Sequence, residues 1–246
     1  MPSPPALLLI AHGSRDPRHA ATVEALVRRV RLLRPGLSVA TAYLDHCAPR
    51  LPQVVQRLAG APAVAVPLLL NRAFHAKHDI PAALRAARAG CPVAAVLGPD
   101  PLLLAALERR LAEAGLDLAS AAARARTGVV LAAAGSSDPA ADATTRALAA
   151  RWQRERGWGA VTVAYASAGG PRVPDALAAL RAQGLRRTAV APYLLAPGLL
   201  PDRIATAAEE AGADVLAPVL GAAPEVAHLL LRRYAEAGQG LRAVAA

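Results

Sequence analysis

Two apolar runs in this chain empty into the same loop. Leu7-Leu8-Leu9-Ile10-Ala11 leads to His12-Gly13-Ser14-Arg15-Asp16-Pro17, and Val129-Val130-Leu131-Ala132-Ala133 leads to Ala134-Gly135-Ser136-Ser137-Asp138-Pro139. The offset is 122 positions, and it persists. Val39-Ala40-Thr41-Ala42-Tyr43 returns as Val161-Thr162-Val163-Ala164-Tyr165, and Pro49-Arg50-Leu51-Pro52 as Pro171-Arg172-Val173-Pro174. After a small insertion, Pro67-Leu68-Leu69-Leu70 returns as Pro192-Tyr193-Leu194-Leu195. A repeat of this length is a duplicated domain and not a solenoid unit. Whatever one half folds into, the other must be able to fold into as well.

Within the first half, short aliphatic stretches at 6–11, 37–44, 63–70 and 92–97 read as buried strands. Between them, apolar residues recur at helical spacing, as in Val23, Leu26, Val27, Val30 and Leu33, a helix that Pro35-Gly36 stops. Further helices are expected after Pro49, from Ile80-Pro81 onward and from Pro101 to Ala114. Strands alternating with helices, without hairpin signals, imply parallel sheets covered on both faces. The expected fold class is therefore α/β, with two similar lobes, each a parallel sheet flanked by helices, facing each other across a cleft. An alanine- and arginine-rich link at 118–127 sets the expected domains at 1–120 and 127–246.

Composition narrows the function. Hydrophobic residues make up 54% and aromatics 3%, so the core must be aliphatic. The formal charge of +10 comes almost wholly from arginine, since Lys77 is the only lysine. The arginines are scattered along helices with no interleaved aromatics, which argues against a nucleic-acid partner. They provide a field suited to a polyanionic small molecule. Cys47 and Cys91 are isolated, which excludes a disulfide scaffold, a zinc ribbon and an iron–sulfur site. No apolar run approaches the roughly 20 residues of a membrane span, and the N-terminus has no signal-peptide pattern. A soluble cytoplasmic protein, monomeric or homodimeric, is expected.

The chemistry should gather where successive strands of one sheet end. There the first half offers His12, Asp45 (with His46) and His75 (with His78). The second half answers with Ala134, Ser167 and Leu199. Packing histidines would not be expected to vanish as a set while the scaffold stays. Two imidazoles and a carboxylate suit a divalent first-row metal with open positions. His75 is preferred to His78, which falls at the helix entry beside the expected cap Asp79, and His46 is a reserve ligand. His19 and His228 read as surface or helix residues. Asp16 and Asp138 read as helix caps in both halves. Ser14 beside His12 lacks the G-x-S-x-G elbow of a hydrolase, and a single Gly13 is a weak phosphate signal.

At Ala11-His12-Gly13-Ser14-Arg15-Asp16-Pro17, Tyr43-Leu44-Asp45, Pro67-Leu68-Leu69-Leu70 and Phe74-His75-Ala76-Lys77-His78-Asp79-Ile80-Pro81, the sequence resembles the class II chelatases of tetrapyrrole biosynthesis. These are the sirohydrochlorin cobalt- and iron-chelatases of the CbiX-like group, and the resemblance is to their two-lobed long form. It implies a lyase-type enzyme inserting Co²⁺ or Fe²⁺, as substrate, into sirohydrochlorin, in the sirohaem or cobalamin pathway. His12, Asp45 and His75 would carry metal and catalysis, with Ser14 and Arg15 at the tetrapyrrole. Asp45 stands where the family often has glutamate, and Ala73 where it commonly has glycine. With no P-loop, no nucleotide is expected. The rival readings are a non-catalytic metal carrier, a chelatase for another metal such as Ni²⁺, and a metal-independent hydrolase on Ser14 and His12.

Arginines such as Arg15, Arg72 and Arg203 would steer a substrate bearing eight carboxylates. The value of kcat/KM should then fall as salt is raised through about 0.1 M, where the screening length is about 10 Å. A salt-independent value in a steady-state titration would reduce the charge to compositional bias.

Overall fold

The computed structural model describes residues 4–71 and 79–244. In chain order the elements are β1 (Ala6–Ala11), α1 (Pro17–Leu33), β2 (Val39–Tyr43), α2 (Leu51–Leu58), β3 (Ala63–Pro67), α3 (Ile80–Ala86), α4 (Pro101–Glu113) and α5 (Ala121–Ala125). They continue with β4 (Thr127–Ala133), α6 (Pro139–Arg156), β5 (Ala160–Tyr165), α7 (Val173–Ala182), β6 (Arg187–Pro192), α8 (Leu199–Glu210), β7 (Val215–Leu216) and α9 (Pro224–Val244). Among the described residues no helix is long and apolar enough to cross a membrane.

The sheets are parallel, in the orders β2-β1-β3 and β5-β4-β6-β7. Leu7 to Ile10 and Val129 to Ala132 are fully buried, as central strands covered on both faces must be. The order reverses around β1, and that switch point is where an open α/β sheet leaves a crevice at its carboxyl edge. The helices after β1 and β4 start by the same device. The Ser14 hydroxyl accepts the Asp16 N–H at 3.1 Å, and Asp16 in turn accepts the Arg18 N–H at 2.9 Å. Ser136 and Asp138 repeat this at 3.0 and 2.9 Å, so both aspartates are caps as expected.

Two sequence expectations require correction. The stretch 92–97 forms no fourth strand of the first sheet, and only Val93 bridges to Ala65. Pro92 supplies a carbonyl to Ala65 but has no N–H of its own, and Leu97 already turns to the Leu69 carbonyl. The chain also does not divide at 118–127 into contiguous compact units. One unit comprises residues 1–98 with 222–246, the other 99–221.

Each unit is thus completed by the terminal helix of the other repeat. In the first, α9 packs on α1 and β3. Arg233 donates to the Val96 and Leu97 carbonyls at 3.1 and 3.3 Å, and the Tyr234 hydroxyl donates to the Pro5 carbonyl at 2.6 Å. In the second, α4 packs on β6, and Arg110 donates twice to the Leu220 carbonyl at 3.1 and 2.8 Å. Arg110 and Arg233 occupy matching places in the two repeats, and so do Leu97 and Leu220.

A buried carboxylate fixes α4 in its unit. Glu108 accepts from Trp152 Nε1 at 2.8 Å and is bridged by both arms of the Arg156 guanidinium. That partner holds the Arg156 pKa above its usual value. Removing the carboxylate would leave the indole N–H of a fully buried tryptophan unsatisfied, at a cost of about 1–3 kcal/mol. Glu108→Ala should therefore lower the urea midpoint of this unit, and Glu108→Gln, which keeps an acceptor, should lower it less. Both tryptophans, Trp152 and Trp158, lie in this unit, so fluorescence reads the transition directly.

Candidate metal centre at the carboxyl edge of the first sheet

The loops after β1 and β2 are pressed together. The Asp45 N–H donates to the His12 carbonyl at 2.8 Å, and Gly13 sits at φ +95° with its α-carbon against the Asp45 backbone. A β-carbon built there would lie 1.7 Å from the Asp45 carbonyl oxygen. Only glycine fits, for reasons of both conformation and space. The second repeat keeps the device: Gly135, at φ +90°, would place a β-carbon 2.1 Å from the Ala168 carbonyl oxygen. Gly13 therefore serves loop-to-loop contact, which accounts for its presence in both repeats.

This contact sets His12 and Asp45 side by side at the sheet edge, with His46 between them. The His46 ring meets the His12 ring edge-on, centroids 6.4 Å apart, and His46 Nε2 stands 3.3 Å from Asp45 Oδ2. His46 reaches this place from a left-handed backbone conformation, φ +59°, costly for any residue but glycine. Asp45 Oδ1 accepts the His46 N–H at 2.8 Å and Arg50 Nη1 at 3.0 Å. Those hydrogen bonds hold its carboxyl below the usual range, the His46 amide first and Arg50 next. Asp45 is half-exposed and open to a ligand.

His75 and His78, with Arg72, Phe74 and Lys77, lie outside the described residues. β3 ends at that same sheet edge, and α3 begins at Ile80. Asp79 takes the N-cap position of α3 without a side-chain capping bond, because its own backbone is already helical (φ −69°, ψ −47°). Among the described residues no three His, Cys, Asp or Glu side chains are grouped to hold a metal ion. Arg15 is exposed on the β1 loop. The Ser14 hydroxyl serves the cap described above, a task it shares with Ser136. His228 is exposed on α9, whereas His19 turns inward from α1. Its ring lies 6.3 Å from that of Tyr43, and Nδ1 is buried without a hydrogen-bond partner among the described residues. Burial, and then the nearby His12, push the His19 pKa down.

Two residues escaped the sequence reading. Arg50 steers Asp45 and also donates to the Leu44 carbonyl at 2.7 Å. Arg172 does the same for Tyr165, at 2.8 Å, where no carboxylate follows. The repeated Pro-Arg pair was the available signal. Cys47 clasps the β1 loop, its thiol donating to the Ser14 carbonyl at 3.1 Å and accepting the Ser14 N–H at 3.4 Å.

With this geometry in place, comparison with known proteins is decisive on family. The CbiX pattern matches residues 6–114 and again 128–237. The chain belongs to the CbiX family. It is 29% identical to a sirohydrochlorin ferrochelatase of Priestia megaterium, over 92% of this chain and 87% of that one. It is 25% identical to a sirohydrochlorin cobaltochelatase of the same organism, over 81% of this chain and 67% of the other. Among solved structures, SirB from Bacillus subtilis with Fe³⁺ superposes with a TM-score of 0.82, at 24% identity and 98% coverage of both chains. That match establishes the chelatase fold. The two family segments follow the sequence repeats and not the compact units, since the repeats exchange their last helices.

If His12 and Asp45 hold the metal as expected, Gly13→Ala should separate them and lower Co²⁺ affinity at least about tenfold, about 1.4 kcal/mol, in a calorimetric titration. Gly36→Ala is the control. It carries a similar φ of +84° with nothing within 4 Å, and should leave affinity unchanged.

Proposed function

We propose that this chain is a sirohydrochlorin chelatase, inserting Co²⁺ or Fe²⁺ into the tetrapyrrole without a nucleotide, with His12, Asp45 and His75 as its metal-handling residues. The observation that carries the reading is the juxtaposition of His12 and Asp45 at the switch point of the first sheet, in a chain of the CbiX family. The matching positions of the second repeat hold Ala134 and Ser167, the latter spending its hydroxyl on the Ala134 carbonyl at 2.6 Å.

Insertion exchanges two pyrrole N–H protons for one divalent cation and strips water from the metal. A neutral imidazole can ligate the incoming metal or accept a proton near neutral pH, with an unperturbed pKa of about 6.5. Asp45, held ionised by the His46 amide and Arg50, supplies negative charge to the cation as it sheds water. His46 lies within reach of both His12 and Asp45 and serves as a relay or reserve ligand. Ser14 and Arg15, on the same loop, would meet the substrate's carboxylates, Arg15 from its exposed position, and the product leaves with its carboxylates unchanged.

His12→Ala and His75→Ala should each reduce anaerobic insertion of Co²⁺ into sirohydrochlorin, followed by absorbance, by at least about a hundredfold. Circular dichroism should stay that of the wild type, because the second repeat folds with neither histidine. Since its hydrogen bonds hold the Asp45 carboxyl below its usual range, this carboxylate should keep its charge as pH falls through about 4, and a carbon-13 NMR titration of Asp45 checks this. Wild-type turnover in either variant would remove that residue from the site. Stoichiometric metal binding without any change in the tetrapyrrole spectrum would make the protein a carrier.

A further inference from the structure

The edge of the first sheet carries a feature that chelation does not use. β2 is an edge strand, and its hydrogen bonds to β1 run through even-numbered residues, from the Ser38 carbonyl to the Leu44 N–H. The peptide groups of Val39, Thr41 and Tyr43 therefore face outward. Tyr43 is already bonded to the Pro49 carbonyl at 3.0 Å, and the Val39 carbonyl accepts Arg31 Nη2 at 3.2 Å. Among the described residues no strand pairs with the Thr41 edge. Over it lies a cavity of about 540 Å³ between α1 and α2, with Val54 and Leu58 in its wall and Arg28, Arg31 and Arg57 around it. Among the described residues Glu24 is the one acidic residue lining it, and it lies 4.0 Å from Arg28.

The second repeat supplies an internal control. There β5 is the corresponding edge strand, and the places of Arg28, Arg31 and Arg57 are taken by Ala150, Gln153 and Ala179. Gln153 turns its Oε1 onto the Val161 N–H at 3.1 Å, closing the edge amide that matches Val39. Val163 is buried where Thr41 is half-exposed. The scaffold thus folds without the three arginines. In the first repeat the side chain at the matching place, Arg31, takes the Val39 carbonyl instead, and the Thr41 edge stands in a basic groove.

We propose that this groove binds an extended acidic segment of a partner protein, which adds as a strand beside β2 and sets its carboxylates on Arg28, Arg31 and Arg57. Strand addition draws on the backbone groups of an open edge, and the flanking charges select the partner. A second copy of this chain is disfavoured as occupant, because pairing two such edges would bring six guanidinium groups together. The inference is independent of the chelatase reading, since the groove shares no residue with His12, Asp45 or His75.

A fluorescein-labelled peptide alternating glutamate and valine is the probe, followed by anisotropy on the full chain. Saturable binding is expected, and it should weaken about tenfold in Arg28→Ala/Arg31→Gln/Arg57→Ala, which borrows the second repeat's residues. The same peptide N-methylated on alternate amides should lose binding to the unmodified protein, and a lysine–valine peptide should not bind. Chelation rate should be the same in the triple variant. Absence of saturable binding, equal binding of the N-methylated peptide or equal binding by the triple variant would overturn the proposal. So would a dimer of the wild-type chain in sedimentation that the triple variant dissolves, since the groove would then belong to a second copy.

Discussion

The contact between Gly13 and the Asp45 backbone is the constraint on which the site depends. With no β-carbon at Gly13, the loop after β1 can lie against the loop after β2, and the Asp45 N–H can reach the His12 carbonyl. Everything chemical at this sheet edge follows from that approach. His12 is carried on one side of the contact, Asp45 and His46 on the other, and the Cys47 thiol fastens the two loops a second time through Ser14. The His46 amide and then Arg50 orient the Asp45 carboxylate and hold its pKa below the usual range. These are backbone-anchored placements on the ends of buried strands, so the groups are held before any substrate arrives.

Duplication separates what the scaffold needs from what the chemistry needs. Both repeats keep the glycine, the serine turn, the capping aspartate and the Pro-Arg pair, and in both they perform the same structural task. The imidazoles and the carboxylate are kept only once. Ala134 and Ser167 stand on a loop pair of the same construction, which shows that the fold imposes no demand for His12 or Asp45. At the β2 edge the same comparison marks Arg28, Arg31 and Arg57 as residues the scaffold does not need, with Gln153 standing where Arg31 does.

Much of this was legible in the sequence because strands of a doubly covered sheet are written as plain aliphatic runs, and Leu7–Ile10 and Val129–Ala132 could be little else. Helix starts were equally plain, since Asp-Pro before an apolar period has few other readings. Three things were not legible. Residues 92–97 are apolar enough for a strand, but Pro92 and the turn at Leu97 limit pairing to one bridge, and composition does not report pairing. The exchange of α4 and α9 was hidden because a 3.6-residue period says that a helix has an apolar face, not which sheet that face meets. Arg110 and Arg233 fix the answer through carbonyls more than a hundred residues away. The placement of His46 depends on a left-handed backbone at a residue with no glycine to announce it.

Metal chemistry, as proposed, belongs to the first repeat alone, and counting the bound ions decides it. Titration of the full chain with Co²⁺, read by calorimetry and by the d–d absorption of the bound ion, should give one site per chain with the spectral signature of nitrogen ligation. That site should vanish in the His12→Ala/His75→Ala double variant. Two equivalent sites, or one that persists unchanged in the double variant, would contradict it.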